Sequence, residues 1–428
     1  MTIKILSATV SAALALGLAG LSSRVQASGF SVPELSAAGL SLSNAVVANP
    51  EELGAIPYNA AAMGFQDKSS LSLGALFINF NLSVDNASGS HDSQSPDWVI
   101  PPLIQAVMKI NDQWRVGLGV TAPFGLETRW DIGTFPDLTG NEKPPRQMLP
   151  KGNHPTMSKL QVLDIAPTAS YNVNENLSVS AGLDYYWAKE AVLNSSLAEL
   201  EGDGSGWGWN LGVMFSKDAW SLGASYRSAS TVAIDGTYAP LNQRLVMGRA
   251  LPPGQTAELD LNLPWRLQLG VRYAINPQLA VEVDWTRMGW SQFEKIEVQG
   301  KNTGQPIFTD TNDWEDADAI RVGLTYDLRP TTQLRLGYSY DETGQPDAHF
   351  SARVPDKDRQ LFSIGVAQNL GNDITIEAGY MYVLTEDRSF AGETQYRGLG
   401  SEVNGSTAVA GDYKGDVNLF AIEVSKSF

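Results

Sequence analysis

From Ser69 to the last residue, Phe428, apolar and polar positions alternate with a period of two. That period places successive side chains on opposite faces of an extended chain. Bounded by turn residues, it predicts about fourteen strands. They are Ser69–Val84, Trp98–Ile110, Trp114–Phe124, Leu160–Val173, Leu177–Val192, Gly206–Ser216 and Trp220–Ile234 in the first half. Ala257–Ala274, Leu279–Val298, Asp318–Leu328, Gln333–Asp341, Arg359–Leu370, Ile374–Thr385 and Asp416–Phe428 follow. Tight joints fall at Asn111-Asp112-Gln113, Asn174-Glu175, Lys217-Asp218, Asn276-Pro277, Arg329-Pro330 and Gly371-Asn372. The alternate joints are long and polar: Asp85–Pro96, Gly125–Lys159, Asn194–Ser205, Asp235–Thr256, Gly300–Thr311, Glu342–Asp358 and Arg388–Gly415. Strict sorting of short and long joints is the signature of an outer-membrane barrel, with short periplasmic turns and long external loops. A soluble sandwich has no reason to sort them.

The alternation also assigns faces. Leu279, Val281, Val283 and Trp285 oppose Glu282, Asp284 and Thr286. Ile320, Val322 and Leu324 oppose Arg321, Gly323 and Thr325, and Phe420, Ile422 and Val424 oppose Ala421, Glu423 and Ser425. A charge facing lipid at mid-bilayer costs about 2–4 kcal/mol, so the charged face is the lumen. Trp98, Trp114, Trp220, Trp265, Trp290 and Trp314 lie near strand ends, where interfacial belts place tryptophan.

The start of the chain breaks the pattern. Residues 1–27 read as a secretory signal: Lys4, an apolar core from Leu6 to Leu21, and Val25-Gln26-Ala27 at the cleavage positions. Ser28–Lys68 is a run of small residues interrupted by Pro33, Pro50 and Pro57, too rich in Ala, Leu and Phe for a solvated leader. We read it as a plug inside the barrel; a leader outside the fold is the alternative. The domains are therefore 1–27, 28–68 and 69–428. A plug argues against an open polar porin.

Composition narrows the chemistry. Net charge is −17, which makes nucleic acid a poor candidate for a partner. With no cysteine there is no disulfide or thiolate site. His91, His154 and His349 fall in three different loops, so nothing local suggests a triad, a metal site or a cofactor, and an enzyme is not expected. Gly202-Asp203-Gly204-Ser205-Gly206 reads as a flexible turn, lacking the helix and lysine of a phosphate loop. Glu51-Glu52 and Asp313, Glu315 and Asp316 read as solvated, or bridged to lipopolysaccharide by divalent ions. The loop Gly125–Lys159 carries Trp130, Ile132, Phe135, Leu138, Met148 and Leu149, and Asp235–Thr256 carries Leu245 and Met247. Apolar side chains on external loops need a reason: the loops pack on each other, or they form a groove that captures an apolar solute.

The chain resembles the FadL-type outer-membrane transporters of fatty acids and other hydrophobic compounds. The resemblance rests on Ser28-Gly29-Phe30 with Glu34-Leu35-Ser36, Tyr58-Asn59-Ala60-Ala61, Ala122-Pro123-Phe124-Gly125-Leu126, Trp207-Gly208-Trp209-Asn210, Trp290-Ser291-Gln292-Phe293 and Val354-Pro355-Asp356-Lys357-Asp358-Arg359, in that order. It implies an all-β, fourteen-stranded antiparallel transmembrane barrel with an N-terminal hatch that includes Gly29, Phe30, Asn59 and Ala60. It further implies uptake of long-chain fatty acids or related compounds, captured by an external groove and released sideways at a kink that matches Pro123, Phe124 and Gly125. Outer-membrane lipid, lipopolysaccharide and the barrel-assembly machinery are the implied partners, the last because the terminal Phe428 resembles an assembly signal. Aromatic or alkane hydrocarbon uptake, or a structural or receptor barrel, is the alternative. Two departures stand out. Ala60 replaces the family's proline, and the family's basic headgroup residues fall on Asn194 and Ala317. Arg227, Arg321 and Arg335 in the lumen could hold a carboxylate instead, or pair with Asp164, Asp184, Glu282, Asp284 and Glu377.

Overall fold

A computed structural model describes residues 29–139, 152–241, 252–398 and 401–428. The fourteen predicted strands form one closed antiparallel barrel. We number them β1 (Ser70–Asn86), β2 (Pro102–Lys109), β3 (Trp114–Arg129), β4 (Pro155–Asn174), β5 (Leu177–Ser195) and β6 (Ala198–Lys217). Next come β7 (Trp220–Arg227 and Ser230–Pro240), β8 (Gln255–Leu263 and Arg266–Asn276), β9 (Leu279–Met288 and Lys295–Gly300) and β10 (Pro306–Thr311 and Ala317–Arg329). The ring ends with β11 (Thr332–Asp341), β12 (Arg359–Gly371), β13 (Ile374–Thr385) and β14 (Gly411–Ser427). β14 closes on β1 from Ser70↔Ser427 to Asp85↔Asp412. Closure pairs the first strand with the last, so the paired backbone is satisfied without water. No helix among the described residues is long and apolar enough to cross a membrane.

The lipid face carries Leu269, Val271, Val283, Ile320, Val322, Ile364, Ile422 and Val424. Two aromatic girdles bound it. Trp114–Tyr171 and Trp220–Tyr273, at 4.9 and 4.4 Å, lie near the tight turns, and Tyr185–Trp207 and Trp209–Tyr226, at 4.8 and 5.2 Å, lie toward the long loops. Trp290 and Trp314 do not join them. Both turn inward and are buried, because the backbone leaves the ladder at Gly289–Glu294 and Asn312–Glu315 and re-aims those side chains.

The segment read as a loop at Asn194–Ser205, with its glycine turn at 202–206, is strand. β5 runs to Ser195, β6 starts at Ala198, and Ala198 to Ser205 pair with Pro240 to Ala233. The misreading has a physical cause. Above the outer girdle Glu199, Glu201 and Asp203 point outward into water, and the inward positions are small or apolar. The alternation persists with its polarity inverted. The same inversion runs through β7 to β9, where each strand breaks at one height: Ser228-Ala229, Pro264-Trp265 and Gly289–Glu294. Pro264 has no amide hydrogen to give a ladder. Below the breaks the lumen receives Ser225, Gln268, Glu282 and Asp284; above them it receives Val232, Ile234, Leu261 and Leu263. The barrel is thus polar-lined within the membrane and apolar-lined outside it.

The described hatch residues fill the polar part of the lumen. Helix α1 (Ala37–Ser41) is N-capped by Ser36, whose Oγ accepts from Gly39 N at 2.9 Å, and Asn59 caps the turn Ala60–Phe65. Small residues let backbones meet: a β-carbon on Gly223 would strike the Val47 carbonyl, and one on Gly337 the backbone of Leu42. Barrel carboxylates cap hatch amides, with Val47 N donating to Asp284 at 2.9 Å, Ala48 N to Glu282 at 2.6 Å and Ala37 N to Glu423 at 2.9 Å.

Orientation is directly testable in this cysteine-free chain. With Asn302→Cys in the β9–β10 hairpin tip, a membrane-impermeant maleimide should label intact cells. With Gln278→Cys in the β8–β9 turn, labelling should require permeabilisation. Labelling of Gln278→Cys on intact cells would invert the barrel.

Candidate ligand chamber and lateral window

The polarity inversion builds a chamber above the hatch. It is an apolar cleft walled by Leu126, Leu160, Val192, Ile234, Leu261 and Ile296. Phe30 and Phe293 form its floor, and a side groove beneath Leu200, Ala257 and Val298 joins it through Ile234 and Leu259. One end is polar and holds Ser158, Asp310, Asn312, Ser351 and Arg353, with the backbone of Lys159 between Ser158 and Leu160. Phe30 sits in an aromatic cage, its ring centroid 4.7 Å from Trp290 and 5.3 Å from Phe293, both edge-on, and 6.0 Å from Phe124.

Phe124 connects the cage to the barrel wall. β2 and β3 pair only from Ile104↔Val120 to Lys109↔Arg115. Above that the ladder between them stops, and β3 bulges against β4, passing from Thr121↔Asp164 to Phe124↔Val162. Pro123 sits in the bulge, where its missing donor costs nothing. Higher still the seam closes again, with Ser95 Oγ donating to Glu127 O at 2.8 Å and Gln94 N to Arg129 O at 2.9 Å. The resulting window is filled by the hatch's own start. Val32 N donates to Pro123 O at 2.8 Å and Gly125 N to Phe30 O at 3.0 Å. Gly29 N donates to Asp356 Oδ2 at 3.0 Å.

The residues singled out in the sequence distribute unevenly over this geometry. Gly29, Phe30, Pro123, Phe124 and Gly125 converge at the window. Asn59 lies lower, where its amide donates to Val47 O at 2.9 Å and Val213 O at 3.0 Å, with Ala60 beginning the turn beside it. Trp130, Phe135 and Leu138 do not line a groove. They are at most 3% exposed, packed with Phe350, Phe390, Val409 and Tyr413 into a cap, and Trp130 Nε1 donates to Ala352 O at 2.8 Å. Side chains so enclosed have no surface left for a solute, so the expected groove is corrected at these positions; Ile132 alone is exposed, at 50%. Met148, Leu149, Leu245 and Met247 lie outside the described residues.

The lumen arginines are not at the chamber's polar end. Arg227 is bonded to Asp164 at 2.9 Å and to Asp184, and donates to the hatch carbonyl of Pro57. Arg321 pairs with Asp341 at 3.0 Å, and Arg335 with Glu377 at 3.0 Å and with the hatch's Glu52. They secure the hatch. His154, in the cap, accepts from Phe135 N at 3.2 Å and is held neutral by burial, its pKa pushed down to about 4. Arg353, Lys159 and Asp310 were missed. Arg353 stands directly before Val354-Pro355-Asp356, and the inverted phase of β7 and β8 marks the wall they complete.

A closed antiparallel barrel with a polar lumen, lipid-facing girdles and an internal hatch defines an outer-membrane transport protein. The chain belongs to the outer membrane protein transport protein family (OMPP1/FadL/TodX), whose model matches residues 18–428. It is 25% identical to a long-chain fatty acid transport protein of Escherichia coli, over 97% of this chain and 98% of that one. It is 21% identical to outer membrane protein P1 of Haemophilus influenzae, covering 94% and 95%. Among solved structures it resembles a Pseudomonas aeruginosa FadL homologue, with TM-score 0.77 and 19% identity over 94% of this chain and 100% of that one. It also resembles the Pseudomonas putida toluene transporter TodX, with TM-score 0.69 and 18% identity over 92% and 98%. The chain is an outer-membrane protein of hydrophobic-compound transport.

Proposed function

We propose that this protein takes an elongated apolar solute, of the long-chain fatty-acid class or related to it, from outside the cell into the chamber. The solute then leaves sideways into the membrane between β2 and β3. The observation that carries this is the interrupted β2–β3 ladder, filled by the segment Gly29–Val32, whose Phe30 also forms the chamber floor. Apolar solutes gain nothing from periplasmic water, so a lateral route is favoured over a straight one.

Magnitudes separate the two halves of the hatch. Gly29–Val32 is held by two ladder bonds worth about 1 kcal/mol each, by the Gly29 N bond to the Asp356 carboxylate, about 1.5–3 kcal/mol, and by burial of one phenyl ring, about 2–3 kcal/mol. Such a segment can withdraw and return. Loosening the hatch body would strip partners from buried charges, at about 3–5 kcal/mol each. The body stays and the end moves. The closing β14–β1 seam, with Phe428 N donating to Ser69 O at 2.8 Å, is the feature through which we expect the assembly machinery to act, and the acidic outer faces of β6 and β8 are where we place contact with lipopolysaccharide.

Gly125→Val tests the route. A β-carbon there meets only Val32 at 3.9 Å and the Leu160 carbonyl at 3.7 Å, so the barrel tolerates it while the valine methyls press on the segment in the window. Normal assembly and an uptake rate for a radiolabelled long-chain fatty acid or alcohol lowered about tenfold, near 1.4 kcal/mol, are expected. Normal uptake at normal surface level would remove the window from the route.

A further inference from the structure

We propose that Arg353 and Asp310 select the headgroup, so that the chamber prefers long apolar ligands ending in an uncharged oxygen acceptor, such as an alcohol or ketone, over carboxylates. This rests on the chamber reading above and names its ligand class. Arg353 is buried and fixed. Its Nη1 donates to Ser158 Oγ at 3.0 Å, Asn194 O at 3.1 Å and Met157 O at 3.4 Å, and its guanidinium lies 5.5 Å over the Phe308 ring. Among the described residues nothing accepts from its Nη2, and the side chain lines the chamber. A pinned guanidinium with a spare donor in an apolar cleft calls for an oxygen.

The charge, by contrast, is already answered. Asp310 Oδ2, in the same wall, is 3.6 Å from Arg353 Nε. Lys159 Nζ, on the outer side of that wall because Ser158 and Leu160 on either side of it face inward, is 2.9 Å from Glu190 and 3.7 Å from Glu127, and Arg129 is 2.6 Å from Glu127. Each of these three cations faces a carboxylate. A carboxylate headgroup would therefore bring an unbalanced negative charge against Asp310, in surroundings that screen it poorly. A neutral acceptor takes the Nη2 hydrogen bond and meets no repulsion. Attraction at Arg353 and repulsion at Asp310 together make a specificity element.

The test measures dissociation constants by calorimetry on the full chain in lipid nanodiscs, with decanol, decanoate and decane at mildly alkaline pH. Wild type should bind decanol at least about tenfold more tightly than decanoate. Asp310→Asn should narrow that ratio several-fold, because it removes the repelling charge at constant shape. Arg353→Met should bring decanol down to the affinity of decane. Decanoate binding as tightly as decanol in wild type, or an unchanged ratio in Asp310→Asn, overturns the proposal while leaving the chamber standing. Failure of all three to bind overturns both. The wild-type comparison needs no variant to fold.

Discussion

Deleting residues 28–68 while keeping the signal should yield an assembled barrel that admits small sugars at a rate at least about tenfold above that of the intact chain. The β1–β14 seam that closes the ring involves only barrel strands. A fourteen-stranded lumen is too wide for side chains alone to fill. The wall beneath the hatch is polar, with Gln268, Thr286 and Thr325 among charged pairs that mostly survive: Arg321–Asp341, Arg335–Glu377 and Arg227–Asp164 lie within the barrel. Glu282, Asp284 and Glu423 lose their amide donors, and incoming water replaces them. Swelling of liposomes in arabinose measures the effect. An assembled deletion variant that is no leakier than wild type would mean that the segment does not block the pore.

A disulfide across the window should stop uptake reversibly. Ser31 and Phe124 form an antiparallel bridge, and the flanking bonds make them a non-hydrogen-bonded pair. Such pairs bring Cα atoms to about 4.5 Å, within the span of a disulfide. Oxidised Ser31→Cys/Phe124→Cys protein should take up a radiolabelled long-chain fatty acid or alcohol at about a tenth of the reduced rate or less, because the segment can no longer leave. Dithiothreitol should restore the rate, which separates locking from damage to the aromatic cage. The chain has no other cysteine to confuse the result. Equal uptake before and after reduction, with the bond verified by mass spectrometry, would show that Gly29–Val32 need not move.

The sequence by itself determined the barrel and its strand number, and predicted its orientation. Period-two alternation is a local property of the backbone, and lipid enforces it on every strand that faces it: Ile320 and Val322 could only point outward, Arg321 only inward. Loop length, equally local, separated the two ends. The hatch was legible because the stretch Ser28–Lys68, without a strand pattern yet too apolar for water, needed somewhere to be buried. The window motif Pro123-Phe124-Gly125 showed as a break, since proline and glycine disrupt any ladder.

What lies outside the membrane was decided only by the tertiary structure. There water replaces lipid, the polarity of the alternation inverts, and Glu199, Glu201 and Asp203 resemble a loop although they form a strand. Trp130, Phe135 and Leu138 resemble a greasy groove in the sequence, and only the approach of Phe350, Phe390 and Tyr413 from distant loops turns them into a closed cap. The same holds for the charges. Nothing local distinguishes Arg335, which reaches Glu52 of the hatch, from Arg353, which is pinned to Ser158 and Asn194 beside the chamber. Pairing between residues hundreds of positions apart is a property of barrel closure and hatch docking, and no local period encodes it.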